Sequence, residues 1–256
     1  MNLSTAVRHI KRMGILLVFP HANKKEPASL WHEFFPKTPM RWEWDASGDN
    51  RVSDLWHLRE RLSVSRQVVY SKWFRGKATM LSIPAFTALL KTMNSDLETI
   101  RGLGFQAREI LDLLEEDSPL STKQLKKMSG LQGRASEALY QRALKELWER
   151  GLIVAFGEVD EGAFPSIAVG ATRILFEEVW AAATVMTTKE AEKILTNFSV
   201  QSSFGKFILS LRKKFASESK SESDSECEDG CDLGFDSKKK LKKRVRKNRA
   251  VNGARN

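Results

Sequence analysis

The clearest pattern of hydrophobic and polar positions lies between residues 105 and 151, and it predicts three helices. In the first segment, FQAREILDLLEED, apolar residues recur at the three- and four-residue spacing of one helix face. Pro119 ends that segment. Ser121 and Gln124 then have the spacing of a capping box, which predicts the start of a short second helix. In that helix Leu125 and Met128 face inward and the lysines face outward.

The third helix is predicted over residues 134–150, and Gly151 stands where a left-handed residue commonly ends a helix. At about 100° per residue, its side chains divide into two arcs. The apolar arc contains Leu139, Tyr140, Ala143, Leu144, Leu147 and Trp148. The opposite arc contains Arg134, Ala138, Gln141, Arg142 and Lys145.

Two strands are predicted after the third helix, over residues 152–159 and 164–169, with a turn at Asp160-Glu161-Gly162 between them. Three helices followed by two strands is the element order of a winged helix–turn–helix. The short link between the second and third helices matches the turn of that motif. The pattern therefore predicts a winged helix–turn–helix domain over residues 99–185.

Residues 1–98 contain fewer clear signals for the start and end of helices and strands, and they are predicted to form an α+β region. A buried strand is predicted over residues 15–19, because Gly14 and Pro20 bracket an apolar run. The β-branched and aromatic residues of 64–74 favour a strand, although a helix is also compatible with them. The predicted helices of this region cover residues 4–13, 29–35 and 82–90. We find no internal repeat in the sequence.

The predicted fold as a whole is α+β and mostly helical, with a winged helix–turn–helix core. A helix is predicted over residues 173–185, and further C-terminal helices fall within residues 186–215. The last of them, over residues 204–215, is amphipathic and basic. It either packs on the rest of the protein or lies on an anionic membrane surface.

The charge of the chain indicates a class of partner. The 256 residues contain 42 basic and 32 acidic side chains, so the net charge is +10. A strongly basic balance favours a polyanion, either nucleic acid or an anionic membrane surface. No apolar run approaches the roughly 20 residues needed to cross a bilayer, so an integral membrane protein is not expected. We expect a cytoplasmic protein, associated with the nucleoid in a prokaryotic cell.

Residues 216–256 form a charged tail that is predicted to be disordered, because its few apolar residues cannot offset the entropy of ordering. Its first half is acidic and its second half is basic. The basic half offers phosphate contacts, or a nuclear address in a eukaryotic cell. The acidic half either folds back on it or only adds solubility. The proposed phosphate contacts are Lys238, Lys239, Lys240, Lys242, Lys243, Arg244, Arg246, Lys247 and Arg249.

The exposed sides of the second and third helices carry the residue types that read DNA. Arginine and lysine neutralise phosphates, arginine pairs with guanine, and glutamine pairs with adenine. The acidic residues 158–161 argue against a wing that grips phosphate. The predicted DNA-binding residues are Lys123, Lys126, Lys127, Arg134, Ala138, Gln141, Arg142 and Lys145. The alternative is an ordinary solvated face, or a winged helix that docks on a protein partner.

Two stretches of the chain carry a resemblance to a known family. The run from LSTKQLKKMSG through RALKELWERGLIV, with VVYSKWFRGKATMLSIPAF upstream, resembles the AlkZ-related winged-helix proteins. These are distantly similar to DNA glycosylases of the AlkZ/YcaQ type. The resemblance covers roughly residues 12–175 and rests on leucine and arginine spacings. It implies winged-helix modules on a surface that faces DNA, and it raises base excision as an activity.

The resemblance also implies a catalytic pair, which this sequence lacks in its usual form. The glycosylases position water with a Gln-x-Gln or Gln-x-Asp pair, but Gln67 and Gln106 have no such partner. The nearest substitute is Glu43 with Asp45 in RWEWD. Flanking tryptophans there could stack on an extruded base.

No other constellation indicates a cofactor or a metal. The four histidines lack the spacing of zinc ligands, and the two cysteines lie in the acidic part of the tail without a histidine nearby. The leading hypothesis is therefore a DNA-binding protein without catalytic activity, in regulation or nucleoid organisation. The second is a DNA glycosylase or a derivative of one, and the third is a protein-docking module.

Overall fold

The computed structural model describes residues 1–42, 49–94, 96–159, 166–199 and 202–228. Residues Met1–Ser219 form one compact unit. Its first six elements are α1 (Leu3–Met13), β1 (Ile15–Leu17), α2 (Leu30–Phe34), α3 (Arg51–Val64), β2 (Val68–Ser71) and β3 (Thr79–Ser82). The helix α4 (Ile83–Met93) follows, with Pro84 in its first turn, where a missing N–H costs nothing.

The next elements come in the order that the sequence predicted, with one strand added. They are α5 (Phe105–Glu116), β4 (Leu120–Ser121), α6 (Thr122–Met128), α7 (Glu137–Arg150), β5 (Ile153–Val159) and β6 (Ser166–Ala171). The capping box of Ser121 and Gln124 begins α6, and Gly151 ends α7 in a left-handed conformation, as predicted. The chain continues through α8 (Thr172–Leu175), α9 (Glu177–Val185), α10 (Thr188–Ser199) and α11 (Ser203–Glu228).

The described strands form a single antiparallel sheet in the order β1-β3-β2-β5-β6-β4. Its two halves meet where Tyr70 of β2 pairs with Ala155 of β5. The N-terminal region and the predicted winged-helix segment therefore share one sheet. The α+β, mostly helical architecture is confirmed.

The same order of elements occurs twice in the chain, although the sequence shows no internal repeat. Helix, strand, helix, helix, strand, strand describes α1 to β3 and again α5 to β6. In both halves the third strand lies between the first and the second. Spacing of residue types did not reveal the repeat, because the two halves share pairing and order but not sequence.

Helices cover both faces of the sheet, and each face has its own apolar core. Alternate residues of a strand point to opposite faces. Tyr70 and Ala155 belong to the core that includes α3, α5 and α7. Val69 and Val154 belong to the core that includes α4, α10 and α11. Strands buried on both faces explain the continuous apolar runs of β1 and β5.

Several predicted element boundaries were wrong. The third helix begins at Glu137, since Gly133 with a φ of 87° and a turn over the next residues delay it, so Arg134 precedes the helix. Leu139 is 41% exposed, because the buried arc is centred on Tyr140, Leu144 and Leu147. Residues 64–74 hold the end of α3 as well as β2, and residues 173–185 hold parts of two helices.

The last helix packs on the protein, which decides between the two alternatives for residues 204–215. Its apolar side chains Phe204, Ile208, Leu211 and Phe215 are buried in the second core. The helix α11 then continues to Glu228, past the predicted start of disorder at residue 216. Extending a helix that packing has already nucleated costs far less than starting one. No helix in the described part of the chain is both long and apolar enough to cross a membrane.

Candidate nucleic-acid interface

A cleft of about 790 Å³ separates α7 from the turn between β2 and β3. Five cationic side chains line it: Lys72, Arg75, Lys123, Lys126 and Lys145. The aromatic side chains of its lining are Tyr140, Trp148 and Phe207, and the acidic ones are Glu137 and Glu149. A cleft with cationic walls and an aromatic floor suits a polyanion with flat rings, such as a nucleic acid.

The β2–β3 turn presents its cations because the two residues between them are anchored in the core. Trp73 and Phe74 are buried, and the Phe74 ring lies 5.0 Å from both Phe204 and Phe207 of α11. Arg75 has a φ of 52°, a left-handed conformation that reverses the chain at this point. The buried aromatic residues thus hold Lys72 and Arg75 at the cleft.

The opposite wall is set by the side of α7 that packs on α6. The Tyr140 hydroxyl donates a hydrogen bond of 2.9 Å to the Thr122 carbonyl oxygen. Burial, and then the charge of Glu137, raise the pKa of Tyr140, so this hydroxyl stays protonated and continues to donate. Trp148 is buried in the same wall. The hydrogen bond between Tyr140 and Thr122 holds the start of α6 against α7, and α6 carries Lys123 and Lys126.

Glu137 is an acidic residue of this surface that the sequence interpretation did not include. It forms an ion pair with Lys126 and accepts a hydrogen bond of 2.9 Å from the Gln141 side chain. The bonds from Lys126 and Gln141 lower the pKa of Glu137. Two of the predicted DNA-binding residues are therefore engaged with a carboxylate, which a phosphate would have to displace.

The second acidic residue of the lining is held by cations. Glu149 is buried, and its carboxylate lies 3.0 Å from the Lys214 amine and 3.8 Å from the Lys145 amine. Lys145 itself is 66% exposed. Because Glu149 is neutralised from two sides, it does not cancel the positive potential of the cleft.

The two halves of the repeat differ in charge at corresponding positions. In the first half, Arg59 of α3 forms a buried ion pair with Glu158 of β5. Lys145 stands as far from the end of α7 as Arg59 does from the end of α3, and Lys72 corresponds to Glu158 when the bulge of β5 is taken into account. Lys72 and Lys145 are both cations that line the cleft, so these two positions cannot form the ion pair that Arg59 and Glu158 form.

Lys72 differs from the other lysines of the lining. It is partly buried, and no hydrogen bond or ion pair joins it to another residue in the part of the chain that the structure describes. Burial, and then the charge of Arg59, lower the pKa of the Lys72 amine. Both causes disfavour the ammonium form.

Comparison with known protein families gives a match over most of the chain. The AlkZ-related family matches residues 1–215. The chain belongs to the AlkZ-related family. The match confirms the resemblance seen in the sequence and extends it over α1 and most of α11. No curated protein and no solved structure matches the chain.

In this AlkZ-related protein, half of the predicted DNA-binding residues come together in the cleft: Lys123, Lys126, Gln141 and Lys145. Lys127, Ala138 and Arg142 are exposed but lie outside the lining, and Arg134 is exposed in the turn before α7. The sequence did not show that Lys123, Lys126, Gln141 and Lys145 share one cleft. In the structure, α6 and α7 contribute these residues, and the β2–β3 turn forms the other wall.

Lys72 and Arg75 were missed by the sequence interpretation, since only the pairing of β2 with β5 brings them to α7. The sequence does contain a local signal for these two cations, because they stand on either side of the apolar pair Trp73-Phe74, which is expected to be buried and to hold them in place. Glu158 was misjudged as part of an acidic wing surface. Its side chain is only 10% exposed and is paired with Arg59, so it does not repel phosphate from the surface.

The remaining predicted site residues fall outside the described part of the chain. This holds for Glu43 and Asp45, for the turn at residues 160–165, and for all of the basic tail residues from Lys238 to Arg249. Within the described ranges, no group of three or more histidine, cysteine, aspartate or glutamate side chains could hold a metal ion.

Proposed function

We propose that this AlkZ-related protein binds double-stranded DNA along the cleft between α7 and the β2–β3 turn, and that it acts in DNA repair. The observation that carries the proposal is the convergence of five cations from three separate elements on one cleft. Isolated surface lysines are common, but five cations that share one cleft with only two carboxylates are favoured mainly by a polyanionic ligand. Membership of the AlkZ-related family supports DNA as that polyanion and repair as the process.

The order α5-β4-α6-α7-β5-β6 is that of a winged helix, which makes α7 the proposed recognition helix. Gln141 and Lys145 lie on its exposed side and suit contacts to base edges and phosphates. Arg75 reaches the cleft from the other half of the sheet and suits the phosphates of the second strand. The basic tail adds contacts that are independent of sequence, and a cytoplasmic location belongs to the same proposal.

The first test removes two cleft cations from the full chain, with Arg75→Ala and Lys145→Ala combined. We expect the dependence of log K on log salt concentration to become shallower by about 2, because each lost phosphate contact removes about one unit of slope. Duplex binding measured by fluorescence anisotropy over a salt series reports this slope.

The matched control loses the same charge elsewhere. Lys189→Ala combined with Lys193→Ala removes two exposed cations from α10, in the helix layer on the other face of the sheet. The control should keep the slope of the unmodified chain. If both double variants lose the same slope, the cleft is not the interface, and DNA affinity is a property of net charge and tail. If the chain binds no duplex, the remaining hypothesis is a winged helix that docks on a protein partner.

A second candidate function is base excision. The family match favours it, as does the aromatic lining of a cleft large enough to enclose a nucleobase. The binding role does not require it, so the two functions need separate experiments.

For base excision we expect the full chain to release free base from an alkylated duplex. Replacing Glu43→Gln together with Asp45→Asn should slow release by about 10²-fold or more, the usual contribution of a catalytic acid or base. Asp54→Asn with Glu60→Gln removes two carboxylates from α3 and should leave the rate unchanged. Base release is measured by chromatography of the free base. A chain that binds duplex but releases no base is a DNA-binding protein without this activity.

A further inference from the structure

Lys72 lines the cleft in a setting unlike that of an ordinary DNA-binding lysine. A lysine that only neutralises phosphate is best kept exposed to solvent, as Lys123 is. Lys72 is partly buried, lies near the guanidinium of Arg59, and shares the cleft with Tyr140 and Trp148. Within the described residues Lys72 forms no ion pair, and the two carboxylates of the lining are paired with Lys126, Lys145 and Lys214.

The other lysines of the lining are engaged or solvated. Lys126 is paired with Glu137, and Lys145 lies within reach of Glu149 while remaining mostly exposed. The lowered pKa of Lys72 increases its fraction of free amine near neutral pH, and a free amine is the nucleophilic form.

We propose that Lys72 forms a covalent imine with the aldehyde of an abasic site held in the cleft. The inference rests on the proposed function, because the DNA must first enter the cleft. It adds a chemical class of substrate, an aldehyde of deoxyribose, and a residue that reacts with it. Arg75 and Lys123 then hold the phosphates around the abasic sugar, and the aromatic lining occupies the space of the missing base.

The reaction balances without an oxidant or a reductant. The lone pair of the Lys72 Nζ adds to C1′ of the ring-opened sugar, forming the C–N bond and breaking the C=O π bond, and a proton passes from the nitrogen to the oxygen. The carbinolamine hydroxyl then takes a second proton from the solvent and leaves as water, giving a protonated imine. Addition of water reverses the sequence and releases both the sugar aldehyde and the free lysine.

The test uses the full chain and two aldehydes: 2-deoxyribose 5-phosphate, and a duplex that contains one abasic site. Sodium cyanoborohydride reduces any imine to a stable amine, and peptide mass spectrometry locates the modified lysine. We expect the adduct on Lys72 with both aldehydes. Lys72→Arg keeps the positive charge but cannot form the imine, so trapping should fall by at least about tenfold. Duplex affinity of this variant is measured alongside, so that weaker binding is told apart from loss of the amine.

Two controls separate Lys72 from the many other lysines. Lys189→Arg makes the same change on α10, outside the cleft, and should trap as the unmodified chain does. Mapping of the unmodified chain also distinguishes Lys72 from the tail lysines without relying on any variant. An adduct located mainly on the tail, or trapping by Lys72→Arg equal to that of the unmodified chain, overturns the proposal and leaves duplex binding intact. Absence of duplex binding overturns the proposed function and the abasic-site substrate together.

Discussion

Replacing Arg59 with alanine should lower the free energy of unfolding by about 3–5 kcal/mol, because it leaves the Glu158 carboxylate buried without its partner. The two side chains are only 6% and 10% exposed. The Arg59 guanidinium also donates to the Tyr70 hydroxyl and lies 3.9 Å from the centre of the Trp56 ring. Truncation therefore removes a charge, a hydrogen bond and a cation–π contact at the place where α3 packs on β5.

Urea unfolding of the full chain, followed by circular dichroism, measures this loss. Arg12→Ala is the matched control, since Arg12 is paired with Glu33 but is 63% exposed, and its loss should cost no more than about 1 kcal/mol. Arg59→Met combined with Glu158→Leu should recover most of the stability, because no buried charge is left unpaired. An Arg59→Ala variant as stable as Arg12→Ala would show that the pair does not hold the two halves together.

Gly14→Ala should also be strongly destabilising, by about 2–5 kcal/mol. Gly14 links α1 to β1 with a φ of 74°, a conformation that costs other residues about 1–2 kcal/mol. A Cβ atom there would overlap the ring of Phe198 in α10. Moving that ring adds an overpacking cost of about 1–3 kcal/mol. The same unfolding measurement applies.

Gly130→Ala separates the two parts of this cost. Gly130 has a φ of 68°, close to that of Gly14, but an added Cβ would meet nothing within 4 Å. Its substitution should therefore show the conformational cost alone. If Gly14→Ala and Gly130→Ala destabilise the chain equally, the contact between Gly14 and Phe198 does not limit packing at this position.

The local structure of α5 to β6 could be predicted because its signals lie close together in the chain. Ser121 and Gln124 satisfy each other's backbone groups within one helical turn, and Gly151 ends α7 through its own backbone freedom. Such signals act over a few residues, so the sequence shows them directly. The start of α7 was misplaced because the turn after Gly133 carries no capping side chain.

The composition of the cleft could not be predicted in the same way. Lys72 and Lys145 lie far apart in the chain and come together only because β2 pairs with β5. Glu137 and Glu158 look alike in the sequence as surface acids, yet one holds Lys126 at the cleft and the other is buried against Arg59. Burial and pairing depend on neighbours that a periodicity analysis does not see.

By itself, then, the sequence determined the family, the α+β class, the order of the three helices and two strands from α5 to β6 without β4, and the basic character that points to a polyanion. The order of elements follows from local capping and periodicity, and the class of partner follows from charge. Only the tertiary structure decided that the element order is repeated, that Arg59 pairs with Glu158, and that Lys72 and Lys145 line the same cleft. The physical reason is that burial and ion pairing depend on residues that strand pairing brings together from distant parts of the chain, and local sequence signals do not contain that information.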